Sequence, residues 1–414
     1  MVLATVPLPA PDGPSMAINT TAIIHCVAQH RKWLRVAAVL IVGFAGLAWI
    51  AGPYVSALAL VIDLSGREVP GRRWLPVRVE PVDATDVSVA TRHGAVEGRL
   101  YRPSGTAGAS SRTVLVVPGL HAAGVEEPRL DRLSRRLAGE GITVLSLPLP
   151  DLRKFLVTPR STDVIEDAAL WLAGQPAITP TGRIGLIGIS FGGGLALVAA
   201  GRPSLANTLD MVVSFGGHGD LPRVVRYLCA GLLPDGSPQP AHDYGTVLFL
   251  LAALPHLVPA GQVAPLDRAI RVFLDASMVD VSEPARAEAL FREARDLGAT
   301  LAEPARSVMA DVSARDATRL GPRLLDLAER VGGDPALSPE RSPATRSRVV
   351  LVHGAVDTVI PQTETPAVAA FLHRSGATQV DWLLTPAVSH ADATNSVTTS
   401  DVWALVRFWN RIFT

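Results

Sequence analysis

A serine lies within a glycine-framed pentapeptide that has the pattern of an enzymatic nucleophile. The segment Gly188–Gly192 places Ser190 between two glycines, directly after the β-type run Arg183–Ile187 and before the helical run Gly193–Ala200. A serine at a sharp strand-to-helix turn needs very small neighbours, because the backbone is crowded there. Such a turn presents the hydroxyl at the carboxyl edge of a sheet, beside a helix N-terminus that favours negative charge. We therefore predict that Ser190 is a nucleophile; the alternative is a tight packing turn.

The partners that a nucleophilic serine needs, a base and an acid that orients the base, are also present. Asp357 follows the β-type run Val349–His353, and His390 follows the next run, Gln379–Leu384. In a parallel sheet, both following loops lie at the edge that carries Ser190. We predict that Asp357 is the acid and His390 is the base, in the chain order Ser, Asp, His.

Other polar residues near these runs allow further interpretations. Asp220 follows the run Met211–Phe215 and is the alternative acid; the motif around Asp357 is the more complete of the two. His218 and His121 either line the site or are loop histidines bonded to the backbone. His353 is expected to close its strand end structurally.

Short β-type runs alternate with helical patterns in two stretches of the chain. The first stretch opens with a hairpin, Val87–Thr91 and Ala95–Tyr101, and within it Asp163 and Glu166 indicate a capping box for one helix. Its later β-type runs are Thr113–Val117, Ile142–Leu147, Ile184–Ile187 and Met211–Phe215. The second stretch ends with a helix over Ser400–Ile412. This alternation predicts an α/β fold with a mostly parallel, doubly wound sheet that is covered on both faces.

The alternation stops between the two stretches, where the sequence favours helices alone. The helical segments are Val247–Leu257, Pro284–Leu297 and Arg319–Val331. An α/β core interrupted by one helical insertion at about 221–345 accounts for this pattern. The apolar run Val247–Leu254 could form a wall above Ser190 that admits an acyl chain; the alternative is a packing domain or an oligomer surface.

An uncharged apolar stretch precedes all of these elements. Residues 36–62 contain no charge and would span roughly 40 Å as a helix, more than the ~30 Å hydrocarbon layer. Pro53 divides the stretch, so the predicted membrane span is Val36–Gly52 with part of the segment after Pro53, tilted or kinked. A buried core helix and a signal peptide cleaved after Val55-Ser56-Ala57 are the alternatives. Basic residues at 31, 32 and 35 favour an N-terminus inside and a main domain outside.

Composition excludes several classes of protein. Acidic and basic side chains are equal in number, 38 each, so bulk positive charge cannot hold this chain to nucleic acid. A hydrophobic content of 48% with 18% charged residues excludes a disordered chain. Two cysteines cannot form a disulfide scaffold, and no Cys/His cluster has metal-ligand spacing. We predict no metal, no cofactor and no nucleic-acid partner; the sequence leaves the oligomeric state open.

Together, these motifs resemble those of the α/β-hydrolase-fold serine hydrolases. The family's nucleophile turn matches Gly188–Gly192, its acid motif His-Gly-x-x-Asp-x-x-(Val/Ile)-Pro matches His353–Pro361, and its terminal histidine matches His390. The extra glycines at 193 and 194 are similar to those of dienelactone-hydrolase-like and acyl-peptidase-like esterases. Dienelactone hydrolases carry a cysteine where this chain has Ser190, so that subfamily's substrate is not carried over.

The resemblance implies a site and an activity. The oxyanion hole would use the backbone N–H groups of Phe191 and, by position, Leu120, because Pro118-Gly119 stands where many relatives carry His-Gly. The implied protein is a membrane-anchored serine hydrolase that cleaves small or lipid-like carboxylic esters through an acyl-enzyme. An acyltransferase, a thioesterase or a peptidase with the same triad, and a non-catalytic binding protein, are the alternatives.

These interpretations divide the chain into six segments. They are a flexible tail 1–33, a transmembrane segment 34–62, a linker 63–82, a first core part 83–220, a helical lid insertion 221–345 and a second core part 346–414. The resemblance covers Asp83–Asp220 and Arg346–Thr414. The predicted localisation is a single-pass membrane protein whose catalytic domain is extracytoplasmic.

Overall fold

The structure is a computed structural model that describes residues 51–63, 81–104, 112–280, 282–388 and 397–413. The chain divides into two units, Met1–Tyr54 and Val55–Thr414. Only residues 51–54 of the first unit are described, so the fold below is that of the second unit.

One eight-stranded sheet organises this unit. The strands are β1 Val82–Thr91, β2 Gly94–Pro103, β3 Thr113–Val117, β4 Thr143–Ser146, β5 Ile184–Ile189, β6 Leu209–Phe215, β7 Arg348–Gly354 and β8 Val380–Thr385. Their order across the sheet is β1-β2-β4-β3-β5-β6-β7-β8. The pairs β1–β2 and β2–β4 are antiparallel, and all other neighbouring pairs are parallel. The predicted mostly parallel sheet is confirmed, and every predicted β-type run overlaps a strand.

Helices cover the sheet and fill the interval between β6 and β7. They are α1 Pro128–Gly139, α2 Pro159–Ala173, α3 Phe191–Ala200, α4 Leu221–Ala230, α5 Asp243–Leu257, α6 Ala260–Val279, α7 Pro284–Ala299, α8 Ala305–Ser313, α9 Ala317–Leu325, α10 Ala328–Gly332, α11 Glu364–Arg374 and α12 Thr399–Phe413. Every residue of β3 and β4 is buried, so the central sheet is covered on both faces, as predicted. The aromatic ring of Phe215 in β6 packs against Phe408 and Trp409 of α12, with ring centroids 5.6 and 5.4 Å apart.

The carboxyl ends of the parallel strands meet at one edge of the sheet. The loops that follow β3, β5, β6, β7 and β8 therefore lie near one another. These loops contain most of the predicted functional residues.

The helical interval between β6 and β7 differs in detail from the sequence prediction. The predicted helix Arg319–Val331 is two helices, because α9 ends at Leu325 and α10 begins at Ala328. The apolar run Val247–Leu254 lies in α5, where Val247 and Leu250 are fully buried and Leu251 is 5% exposed. Consecutive residues of the run are buried, which is the pattern of a core helix. Core packing thus accounts for this run, and its function as a wall for acyl chains stays a prediction.

The predicted capping box at Asp163 and Glu166 is wrong. Helix α2 begins at Pro159, since proline is favoured in the first turn, and both carboxylates therefore lie inside the helix. Asp163 Oδ1 lies 2.7 Å from Arg202 NH1, and Glu166 Oε2 lies 2.6 Å from Arg92 NH2. The pair with Arg92 connects α2 to the turn between β1 and β2, and the pair with Arg202 connects α2 to the chain just after α3.

Residues 51–63 are helical, and their C-terminal part belongs to the second unit. Ala57 and Leu60 are fully buried, and Asp63 Oδ2 lies 3.0 Å from Arg136 Nε of α1. The segment considered for signal-peptide cleavage, residues 55–57, lies within this helix.

The N-terminal part of the predicted membrane segment, residues 34–50, and the tail before it lie outside the described residues. In the described ranges, no helix combines the length and the apolar character needed to cross a membrane.

Candidate active site

Ser190 occupies a strained turn between β5 and α3. Its backbone angles are φ 56° and ψ −132°, in the left-handed region that side-chain-bearing residues rarely adopt. Such a conformation costs about 1–3 kcal/mol and persists only where the surroundings impose it. Here the Ser190 N–H donates to the Phe215 carbonyl at 2.7 Å, and the Gly193 N–H donates to the Ser190 carbonyl at 2.8 Å. The predicted strand–turn–helix around Ser190 is thus present.

Two glycines make this turn possible. A Cβ at Gly188 would collide with the Gly192 carbonyl oxygen, and a Cβ at Gly192 would collide with the Pro118 carbonyl oxygen. Both collisions are with backbone, which cannot move aside as a side chain can. The glycine frame that identified Ser190 in the sequence therefore has a steric cause.

The loop after β3 lies against the nucleophile turn. A Cβ at Gly119 would lie 2.8 Å from Ser190 Cβ and 3.3 Å from Ser190 Oγ, so the backbone at Gly119 passes directly beside the serine. Leu120 follows and is half-buried. Phe191 is the first residue of α3, where backbone N–H groups have no intrahelical acceptor. The two chain segments that carry the predicted oxyanion donors therefore flank Ser190.

Asp357 is buried in the loop after β7, with 1% of its surface exposed. Its Oδ1 accepts hydrogen bonds from the backbone N–H groups of Val359 at 2.9 Å and Ile360 at 3.0 Å. Hydrogen bonds of this kind favour the charged carboxylate and fix its direction relative to the loop.

His353 lies beside this carboxylate, at the end of β7. Its Nε2 is 2.9 Å from the Ile360 carbonyl oxygen and 3.3 Å from Asp357 Oδ2, and its Nδ1 is 2.8 Å from Thr365 Oγ1. A carbonyl only accepts, so Nε2 carries the proton in this network. His353 therefore joins the strand end, the acid loop and the start of α11, consistent with the structural function expected for it.

His390, the predicted base, lies outside the described residues. The chain that leads to it is described as far as Val388. A Cβ at Gly354 would lie 2.6 Å from the Val388 carbonyl oxygen, and the Ala355 N–H donates to the Thr385 carbonyl at 3.0 Å. The loop after β8 therefore starts directly beside the loop that carries Asp357.

Asp220, the alternative acid, has contacts of a different kind. It is the N-cap of α4: its Oδ1 accepts from the Arg223 N–H at 2.8 Å, and its Oδ2 accepts from Arg341 Nε at 2.6 Å. Both carboxylate oxygens are thus engaged in capping the helix and in binding the chain just before β7.

The two loop histidines are bonded to backbone. His218 is fully buried, its Nε2 donates to the Leu337 carbonyl at 2.7 Å, and burial lowers its pKa. His121 Nδ1 accepts from the Ala123 N–H at 3.2 Å, and burial lowers its pKa as well. Both rings are therefore neutral at physiological pH. No group of three or more His, Cys, Asp or Glu residues in the described ranges is placed to hold a metal ion.

The helical interval contacts both the nucleophile turn and the loop that carries Asp357. Phe249 of α5 packs edge-on against Phe191, the residue after the proposed nucleophile, with ring centroids 5.6 Å apart. Gln239, in the loop between α4 and α5, donates from Nε2 to the Asp357 carbonyl oxygen at 2.8 Å. No local sequence pattern marks Gln239, because its partner Asp357 is 118 residues away along the chain.

Comparisons with known proteins give structural likeness only. No protein-family model matches the chain, and no curated protein sequence matches it. Among solved structures, a hyperthermophilic esterase from the archaeon Pyrobaculum calidifontis is 16% identical with a TM-score of 0.45, over 87% of this chain and 89% of that chain.

Two further solved structures are similar to this chain over most of both lengths. A bacterial heroin esterase is 15% identical with a TM-score of 0.46, over 83% of this chain and 88% of that chain. A putative dienelactone hydrolase from Klebsiella pneumoniae is 17% identical with a TM-score of 0.41, over 80% and 97%. The α/β-hydrolase type of this fold is recognised from the sheet itself, with a serine at the sharp turn after β5.

Proposed function

We propose that this protein is a serine hydrolase that cleaves carboxylic esters, with Ser190 as nucleophile, His390 as base and Asp357 as acid. The observation that supports it most is the strained backbone of Ser190 at the sharp β5–α3 turn. Strain of this kind is typical of functional sites. The buried, charge-stabilised Asp357 at the same sheet edge gives independent support.

The reaction would proceed in two halves. His390 takes the proton of Ser190 as Oγ attacks the ester carbonyl, and the N–H groups of Phe191 and Leu120 hold the negative oxygen of the tetrahedral intermediate. His390 then gives the proton to the departing alcohol, which leaves an acyl group on Ser190. Water, activated by His390, releases the acid and restores the serine. Asp357 fixes the imidazole tautomer and stabilises its charged form.

The substrate would be a small or lipid-like ester, and the insertion at 221–345 would act as a lid. The contact between Phe249 and Phe191 supports this proposal, because it brings the insertion to the nucleophile turn. The core packing of α5 limits how much of the insertion could move.

We further propose that the chain is anchored in a membrane by its N-terminal apolar segment, with the catalytic unit outside. The burial of Ala57 and Leu60 supports a span that ends near Tyr54, before the folded unit begins. Residues 36–54 would span about 28 Å as a helix, close to the ~30 Å hydrocarbon layer.

A fluorophosphonate probe, which reacts with activated serines, tests the proposed nucleophile. The wild-type protein should be labelled and should hydrolyse p-nitrophenyl esters, and the Ser190→Ala variant should do neither while remaining folded by circular dichroism. A folded wild type without labelling, or equal labelling of both proteins, would contradict the proposal. Thioester and peptide substrates, and an added alcohol as acyl acceptor, would separate esterase from thioesterase, peptidase and acyltransferase activity.

A further inference from the structure

The loop between α4 and α5 reaches across to the backbone of the acid loop. Gln239 Nε2 donates to the Asp357 carbonyl oxygen at 2.8 Å, and the His242 backbone N–H donates to the Thr358 carbonyl oxygen at 2.7 Å. Since a carbonyl oxygen only accepts, the amide of Gln239 must point its NH₂ group toward Asp357. The insertion thus contacts two consecutive residues of the acid loop.

The amide of Gln239 is itself held from two sides. Gln362 Nε2 donates to Gln239 Oε1 at 2.9 Å, and Gln239 Nε2 lies 3.2 Å from Gln362 Oε1 and 3.1 Å from Tyr227 Oη. Burial raises the pKa of Tyr227, so its phenol stays protonated and neutral. Gln239 therefore has a single orientation, which is what a precise contact needs.

A tight turn presents Gln239 to this network. The backbone N–H of Gln239 donates to the Gly231 carbonyl at 2.9 Å, and Leu232 forms an isolated antiparallel bridge with Pro238. Between them Asp235 Oδ1 accepts from the backbone N–H of Ser237 at 2.9 Å. The segment 231–239 is thus closed on itself, and it ends at the residue that bonds to Asp357.

The position of the Asp357 backbone decides where its carboxylate points. Oδ1 is bonded to the N–H groups of Val359 and Ile360, so the carboxylate and the loop backbone move together. A displacement of about 1 Å in a catalytic group can reduce the rate about 100-fold. A hydrogen bond that fixes the Asp357 carbonyl therefore also fixes the position of the Asp357 carboxylate.

We propose that Gln239 is a positioning residue: through the Asp357 carbonyl it holds the acid of the triad in the direction that serves the base. The insertion then supports the catalytic centre from the acid side, in addition to any function as a lid. This inference rests on the proposed serine-hydrolase function.

Replacement of Gln239 by methionine tests the inference, with a matched control in the same insertion. Gln239→Met keeps the length and neutrality of the side chain and removes its amide. Gln262 is the control because its Nε2 also donates to a backbone carbonyl, that of Glu303, at 2.8 Å. Gln262→Met removes the same kind of hydrogen bond far from Asp357 along the chain. Ester hydrolysis is measured for both variants and for the full-length wild type across pH.

In Gln239→Met we expect kcat to fall about tenfold with little change in KM. A tenfold fall in rate corresponds to losing the free energy of about one hydrogen bond in the transition state. The acid limb of the kcat/KM profile should move to lower pH. A carboxylate held beside an imidazole favours the charged imidazolium, and this effect weakens when the Asp357 carboxylate is displaced. Hydrogen exchange of the Val359 and Ile360 amides should become faster. Gln262→Met should change none of these.

Two results would overturn the inference. One is an active wild type with a folded Gln239→Met variant of unchanged kcat and pH profile. The other is an equal loss in both variants, which would indicate a general effect on stability. A wild type without esterase activity or probe labelling would instead contradict the proposed function on which the inference rests, so the two failures are distinguishable.

Discussion

Asp357 and Asp220 differ in what their carboxylates do. Asp357 Oδ1 is bonded to two backbone N–H groups of its own loop, and its Oδ2 faces the end of β7 at His353. Asp220 caps α4 and binds Arg341. The two residues lie at the same sheet edge, yet these contacts favour different functions for them.

Asparagine variants of the two residues separate these functions. Asp357→Asn keeps an oxygen for the two backbone N–H groups and removes the charge, so the protein should fold and kcat should fall about 10⁴-fold. Asp220→Asn keeps an acceptor for the helix cap and should lower stability by about 1 kcal/mol, with turnover within a few-fold of wild type. Steady-state hydrolysis and urea unfolding of both variants measure this. A larger loss of turnover in Asp220→Asn would show that the acid is assigned wrongly.

At the scale of elements, the nucleophile turn depends on close backbone contacts among β5, α3 and the loop after β3. Gly192, the second residue of α3, faces the Pro118 carbonyl oxygen with no room for a Cβ. Gly261, the second residue of α6, has open space around the same position. The two glycines therefore form a matched pair.

Alanine at each glycine should have opposite effects on stability. Gly192→Ala should destabilise by about 1–3 kcal/mol, because the new Cβ forces backbone apart, and should reduce activity by shifting the loop that carries Leu120. Gly261→Ala should be neutral or stabilise by up to about 1 kcal/mol, since alanine favours the helix. Urea unfolding and ester hydrolysis check both. If Gly192→Ala were as stable and active as wild type, the crowding at this turn would not be what requires glycine there.

At the scale of the whole molecule, the N-terminal apolar segment and the folded unit overlap in sequence. The helix over residues 51–63 contributes Leu60 to a buried position and Asp63 to Arg136, a side chain that is itself only 6% exposed. Arg136 also pairs with Glu140 at 2.6 Å. Removal of this helix would expose apolar surface and leave Arg136 with one fewer partner.

Two truncations test the extent of the anchor. A protein that lacks residues 1–54 should leave the membrane pellet in alkaline carbonate, whereas the full chain should stay in it, and its stability should be close to that of the full chain. A protein that lacks residues 1–63 should also be released but should be less stable by about 2 kcal/mol or more, through loss of Leu60 burial and the Asp63–Arg136 pair. Retention of the shorter chains in the pellet would contradict an anchor at the N-terminus.

Local patterns were enough to predict the fold class and the nucleophile turn. The hairpin and the alternation of strands and helices arise from interactions within a few residues. In the glycine frame of Ser190, the crowding at Gly188 is local, whereas that at Gly192 comes from the Pro118 carbonyl oxygen in the loop after β3. Residue type is restricted directly by turn geometry, by the pairing of neighbouring strands and by steric crowding at Gly188 and Gly192. Asp357 could be predicted as the acid for the same reason, since its motif lies within one loop.

Only the tertiary structure decided which distant residues meet. In the folded protein, Glu166 pairs with Arg92 and does not cap a helix. The apolar run of α5 is buried in the core, and the amide of Gln239 donates to the carbonyl of Asp357. Such contacts depend on how whole elements pack. Hydrophobic periodicity predicts the face of an element on which a residue lies, but it does not predict which distant residue will contact it. The sequence by itself therefore determined the chemistry available at the sheet edge, and packing decided what holds that chemistry in position.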